Sequence, residues 1–181
     1  MIKLKNFTEL NEQEVILVWQ WRNNKKVNKF MHTKNFSIKE HKYFIDNLKQ
    51  DETKKYFLVF EDNKAIGVID FVNIKKESCY FGLYAKPDLR GVGQILMNEV
   101  KKYAFEILKI KILKAHVLKD NEKALKLYFK NDFQIEKEVE NMFNIYLYNI
   151  NEQKIQEPYS HPLGGGVKIN FCLSFDQGWA I

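Results

Sequence analysis

Between Ser78 and Leu108 the spacing of apolar residues changes period, and the change falls across one short segment, Pro87-Asp88-Leu89-Arg90-Gly91-Val92-Gly93. Before it, Ser78 to Ala85 reads as a strand. After it, Ile95, Leu96, Val100, Tyr103, Ala104, Ile107 and Leu108 recur at helical spacing and mark the inner side of a long helix. That order matters more than the glycines alone. Glycine lets the backbone turn sharply and approach a ligand closely. The free N–H groups of a helix's first turn, with the helix dipole, bind phosphate oxygens. The loop Leu89, Arg90, Gly91, Val92, Gly93 and Gln94 therefore reads as a pyrophosphate cradle, although a tight structural turn needs glycine too. It is neither a P-loop nor a dinucleotide fingerprint, because Gly-Lys-Ser/Thr and a third glycine at the required spacing are both missing.

The rest of the chain supplies a sheet for this loop. Ile2 to Phe7 alternates as a strand. Asn11 opens a helix that carries Val15, Val18, Trp19 and Arg22, and a loop with Phe30, Met31 and His32 follows. Ser37 opens a second helix with Glu40 at capping-box spacing. Tyr56 to Phe60, Ala65 to Ile74 and Ser78 to Ala85 form an antiparallel meander, with a turn at Glu61-Asp62-Asn63-Lys64. Beyond the glycine helix come a strand, Ile112 to Leu118, a short helix, Asn121 to Lys130, and closing strands at Phe133 to Val139 and Met142 to Tyr148. The expectation is one α/β (α+β) domain over 1–150. The stretch 151–181, with two of the three prolines and Gly164-Gly165-Gly166, reads as a tail, either non-native or an arm that pairs with a second subunit.

Composition narrows the class. At 181 residues, 45% hydrophobic and 29% charged, the chain is long enough for one full core. No apolar run is long enough to span a membrane, and Met1-Ile2-Lys3-Leu4-Lys5 lacks a signal core, so a cytoplasmic protein is expected. Two cysteines, Cys79 and Cys172, make neither a disulfide framework nor a four-ligand metal site, and no metal is expected. The net charge of +6 suits an anionic small molecule. The lysines are scattered rather than gathered into a stripe, so nucleic acid is not expected as a partner.

Downstream of the loop stands Asn121-Glu122-Lys123-Ala124-Leu125-Lys126-Leu127-Tyr128, then Phe133. The loop and this segment, in this order, resemble the GCN5-related N-acetyltransferase (GNAT) superfamily from roughly Tyr56 to Tyr148. The resemblance implies a mixed sheet of about seven strands flanked by about four helices. The fourth and fifth strands splay apart around the pantetheine arm of acetyl-CoA. It also implies that acetyl-CoA is held by Leu83, Tyr84 and Ala85 on the fourth strand, by the loop Leu89 to Gln94, and by Asn121, Ala124 and Tyr128. One departure concerns Asp88, which stands where the family usually has Gln or Arg. Trp21-Arg22-Asn23, His41, Phe71-Val72-Asn73 and Phe81-Gly82-Leu83-Tyr84 resemble, more closely, the branch that acetylates nucleotide-linked amino sugars in pseudaminic acid biosynthesis for flagellin glycosylation. That resemblance implies a UDP-4-amino-4,6-dideoxy-N-acetyl-altrosamine as acceptor. An enzyme acetylating protein N-termini is the alternative, and a catalytically silent CoA- or nucleic-acid-binding module the third reading.

Acetyl transfer to an amine needs a polarised carbonyl, a neutral amine and a proton for the leaving thiolate. The superfamily resemblance implies Tyr128 as the acid, and backbone N–H groups on Gly82 to Ala85, freed by a bulge with which Gly82 is compatible, as the oxyanion donors. For the base, Asp70 comes first and His116 second, with Tyr80 or a water relay as further possibilities. Arg22, Asn23, Phe30, His41, Asp70 and Tyr80 are the expected acceptor-binding residues: Arg22 or His41 toward phosphate, Phe30 toward a uracil ring. The expected state is a monomer or a homodimer.

Overall fold

The computed structural model describes residues 1–31 and 35–149. His32, Cys172 and the expected tail lie outside the described residues. Seven strands, β1 (Ile2–Asn6), β2 (Lys55–Glu61), β3 (Lys64–Val72), β4 (Ser78–Ala85), β5 (Ile112–Leu118), β6 (Gln134–Val139) and β7 (Met142–Tyr148), form one sheet in the order β1-β2-β3-β4-β5-β7-β6. All neighbours are antiparallel except β4 and β5. Five helices accompany them: α1 (Glu12–Asn23), α2 (Lys25–Asn28), α3 (Ile38–Leu48), α4 (Gly93–Lys102) and α5 (Glu122–Lys130). The sequence pointed to four. The additional one, α2, is a single turn with too few residues to show a period.

Local chemistry sets most boundaries. Asn11 and Ser37 each close a capping box, with Glu14 and Glu40. At the β2–β3 turn Asp62 and Asn63 take φ of 46° and 64°, a conformation that Asp and Asn tolerate best after glycine. Phe7 leaves the first strand instead of ending it, because Asn6 Oδ1 accepts from Thr8 N–H and starts a 3-10 turn, Phe7–Glu9. α4 runs on into a π turn, Tyr103–Ile107. That turn is wider than α-helix, so it advances the helix face, and Ile107, expected inside, is 60% exposed.

The sheet separates two apolar layers. On one face, Ile69, Phe71, Cys79, Phe81, Leu113, Ala115, Val117 and Ile145 pack with Leu96, Met97 and Val100 of α4 and Tyr128 of α5. On the other, Leu58, Val68, Val72 and Tyr84 pack with Val15, Val18 and Trp21 of α1 and Ile45 and Leu48 of α3. The alternation of strand side chains assigns each polar residue a face. Asp70, between Val68 and Val72, faces the N-terminal helices, and His116 stands opposite in sense to Ala115 and Val117. Strands β4 and β5 pair only over Ser78–Tyr80 and Ile112–Lys114. Beyond that they diverge, so the β5-facing edge of β4 from Phe81 to Ala85 has no strand partner. This is the expected splay. The expected bulge at Gly82 is not there: all six β3–β4 pairs, Gly67↔Ala85 to Val72↔Tyr80, share one register. Gly82 pairs directly with Asp70, so no β4 side chain stands directly opposite that buried carboxyl.

Candidate active site

The loop after β4 ends in a helix terminus unlike the others. Asn11, Asn24, Ser37 and Asn121 cap α1, α2, α3 and α5 with side-chain oxygens. The N-cap of α4 is Val92, which has no oxygen and makes no such bond. The first-turn N–H groups of α4, beginning at Gly93 and Gln94, therefore keep their demand for an acceptor. Gly91 takes φ of +85°, and a Cβ there would meet nothing within 4 Å. Its glycine answers a backbone requirement rather than a crowded neighbour, and it leaves open space above the loop. Leu89 and Arg90 are exposed, and Val92 is buried beneath the loop. Asp88 takes φ of +66°, and its carboxylate pairs with Lys26 of α2. The departure from the family pattern thus carries its own counter-ion. Gln94 contributes backbone only, because its side chain is bonded to Asn98 and Asn131.

Across from the loop, Asn121 Oδ1 accepts from Ala124 N–H at 3.3 Å, so the Asn-x-x-Ala spacing is N-cap geometry. Two turns on, Tyr128 is fully buried against Phe81 and Phe133, with ring centroids at 5.7 and 5.6 Å. Its hydroxyl has no hydrogen-bond partner among the described residues. Burial, reinforced by the charge of Asp70, raises its pKa above the ordinary phenol value, so it holds its proton at neutral pH. A buried hydroxyl without a partner is costly unless a ligand supplies one. These features fit acetyl-CoA: an open loop with an uncapped helix end, an unpaired strand edge, and an orphan phenol beside the splay.

The opposite face collects the remaining candidates. Tyr80, the last β4 residue paired with β5, stacks on His116 at 4.7 Å and 21°. His116 Nδ1 lies 2.7 Å from Asn144 Oδ1, which leaves Nε2 as the nitrogen that can accept a proton. Asp70 is 2% exposed and one of its oxygens has no hydrogen-bond partner among the described residues. Burial raises its pKa well above the carboxylate range, and Arg22 pulls the other way. Tyr84, likewise buried with an unpartnered hydroxyl, is shifted upward by burial, opposed by Arg22 and helped by Asp70. Arg22 is 1% exposed, its guanidinium 5.6 Å over the Phe36 ring. Burial lowers its pKa while Tyr84, Asp70 and Tyr56 raise it.

The expected acceptor residues do not form one exposed patch. Asn23 bonds Phe36 both ways, donating to its carbonyl at 3.0 Å and accepting its N–H at 3.2 Å, while Trp19 Nε1 donates to the same carbonyl at 2.9 Å. Trp19, Arg22 and Asn23 therefore anchor Phe36, just ahead of α3. His41 is buried between Phe7 and Phe36. Phe30 and Tyr80 keep exposed surface, and Lys29 Nζ sits 4.3 Å from the Phe30 ring centroid. The sequence missed Tyr84 as a hydroxyl and Asn131 altogether. Cys79 is buried, its thiol pushed up to about 12, which makes it unreactive. Among the described residues no group of three or more His, Cys, Asp or Glu could hold a metal ion, and no helix is long and apolar enough to cross a membrane.

Comparison with known proteins agrees with this geometry. The acetyltransferase (GNAT) family profile matches residues 16–133. The acetyltransferase PseH of Campylobacter jejuni is 61% identical over 147 residues, covering 81% of this chain and 94% of that protein. The crystal structure of Campylobacter jejuni N-acetyltransferase PseH with acetyl coenzyme A superposes with a TM-score of 0.72 at 56% identity, over 82% of this chain and 99% of that one. A spermidine N-acetyltransferase from Vibrio cholerae, with CoA and spermine, shares the fold at a TM-score of 0.74 and 20% identity, over 81% and 95% of the two chains. With the uncapped cradle, the splay and the buried phenol in place, the chain belongs to the GNAT family of acetyltransferases and takes its acetyl group from acetyl-CoA.

Proposed function

We propose that this enzyme transfers an acetyl group to the 4-amino group of a UDP-linked 4-amino-4,6-dideoxy-N-acetyl-altrosamine, on the route to pseudaminic acid, by direct attack of the amine. The observation that carries the chemistry is the buried Tyr128 hydroxyl without a partner, beside the strand edge that lacks one. Acetyl-CoA, when bound, supplies a thioester carbonyl and a thiolate leaving group. The first-turn N–H groups of α4 and exposed Arg90 take the pyrophosphate oxygens. Alternate N–H groups along Leu83, Tyr84 and Ala85 polarise the carbonyl, and unbulged β4 offers them because β5 has moved away. Tyr128 then protonates the thiolate.

The acid stands on the α4–α5 side of the sheet and the acceptor arrives from the side of the N-terminal helices. There His116 is half-buried and Asp70 nearly inaccessible, so His116 takes first place as proton acceptor, directly or through water. Asp70 and Arg22 set the charge beneath Tyr84. Phe30 and Tyr80 offer ring surface to the nucleotide, and Asn23 and His41 hold the loop and helix behind it. The sugar class rests on the resemblance of the N-terminal third and on the 61% identity with PseH. The test is steady-state turnover of Tyr128→Phe with acetyl-CoA and the UDP-4-amino sugar. The expected loss in kcat is about 10²–10⁴-fold with acetyl-CoA affinity retained. Unchanged kcat removes the acid role.

A further inference from the structure

Helix α4 begins in the cradle and α5 carries Tyr128, and one amide pair ties the two together. Gln94 Nε2 donates to Asn131 Oδ1 at 2.9 Å, and Asn131 Nδ2 donates back to Gln94 Oε1 at 3.1 Å. Asn131 Nδ2 also donates to the Leu127 carbonyl at 2.9 Å, and its Oδ1 also accepts from Lys101 Nζ at 2.7 Å. Both donors and both acceptor sites of this side chain are thus used. The residue is 5% exposed. A buried amide with every bond made holds one orientation. α5 closes the same corner, since a Cβ on Gly93 would stand in van der Waals contact with Leu127 Cδ2, at 3.4 Å. Asn131 N–H donates to the Tyr128 carbonyl at 2.9 Å, so the residue grips the main chain at Leu127 and at Tyr128. Its other bonds hold the residue that follows the cradle's last glycine.

We infer that Asn131 is a positioning residue: through Gln94 and the last turn of α5 it fixes the Tyr128 hydroxyl against the α4 N–H groups that hold the cofactor. The inference rests on the reading of Tyr128 as the acid. Proton delivery to one sulfur demands placement, and a shift near 1 Å costs about a hundredfold in rate.

Asn131→Asp tests this with almost no change in shape. The carboxylate still accepts from Lys101 and Gln94 but donates to neither Gln94 Oε1 nor the Leu127 carbonyl. The expected result is a kcat lowered about tenfold or more, with acetyl-CoA affinity by calorimetry nearly unchanged. In a Tyr128→Phe background the same substitution is expected to add nothing. Gln94→Leu removes the partner amide and is expected to repeat the pattern, and it decides the matter if Asn131→Asp folds poorly. Slow Tyr128→Phe enzyme that Asn131→Asp slows again by the same factor overturns the positioning role and leaves the acid in place. So does an Asn131→Asp enzyme with wild-type kcat. Full turnover in Tyr128→Phe alone overturns the acid and the inference with it.

Discussion

His41 shows how the identity of a residue can mislead about its work. In the sequence it is a histidine near a proposed phosphate site. In the structure it is a neutral ring wedged between Phe7 and Phe36, and its pKa falls from 6.5 to about 4, chiefly through burial. The unfolded chain therefore binds a proton before the folded chain does. The stability His41 contributes is complete above about pH 6.5 and is lost as pH falls toward 4. The expected loss is on the order of 3 kcal/mol. Denaturant unfolding of wild type and His41→Asn between pH 7 and 4 checks it: wild type should lose stability steeply and the variant should not. Parallel slopes would contradict the assignment. Arg22 and Asp70 belong to the same lesson. Nothing in a one-dimensional pattern distinguishes a charged residue that faces water from one enclosed by Tyr56, Tyr84 and Phe36.

At the scale of elements, the proposed cradle is a loop and an uncapped helix end acting together. Gly91 stands at φ +85° in open space, so a side chain there meets strain and no clash. A left-handed conformation costs an L-residue about 1–2 kcal/mol. If the loop must keep that shape to bring its N–H groups to the pyrophosphate, Gly91→Ala raises the KM for acetyl-CoA about tenfold, the equivalent of about 1.4 kcal/mol, and leaves that for the amine alone. Equal changes in both would place the loop's role elsewhere. Most of these elements were legible in the sequence. Alternation gave β4, β5 and β7 to the residue, and Ser37 announced its helix by capping-box spacing with Glu40. What escaped is what short or irregular backbone hides. α2 is a single turn, the π turn rotates Ile107 outward without any change in apolar spacing, and the unbulged register at Gly82 depends on its partner strand. The Gln94–Asn131 tie joins residues 37 apart, beyond any local period.

The whole molecule is a sheet with a gap in it and a different layer on each face. One layer carries the proposed cofactor cradle and the proposed acid, Tyr128, while the other is built from the N-terminal helices and carries Phe30, Tyr80 and His116 at its edge. The family and the acetyl donor follow from the first layer, the splay and the comparisons. The proposed choice of amine is assigned to the second. Acetyl transfer from acetyl-CoA to a UDP-4-amino-4,6-dideoxy sugar, run beside transfer to peptide N-termini and followed by mass spectrometry of both acceptors, tests that division most directly. The account predicts a product heavier by one acetyl group on the nucleotide sugar and little on the peptides. Acetylated peptide with untouched nucleotide sugar would contradict it.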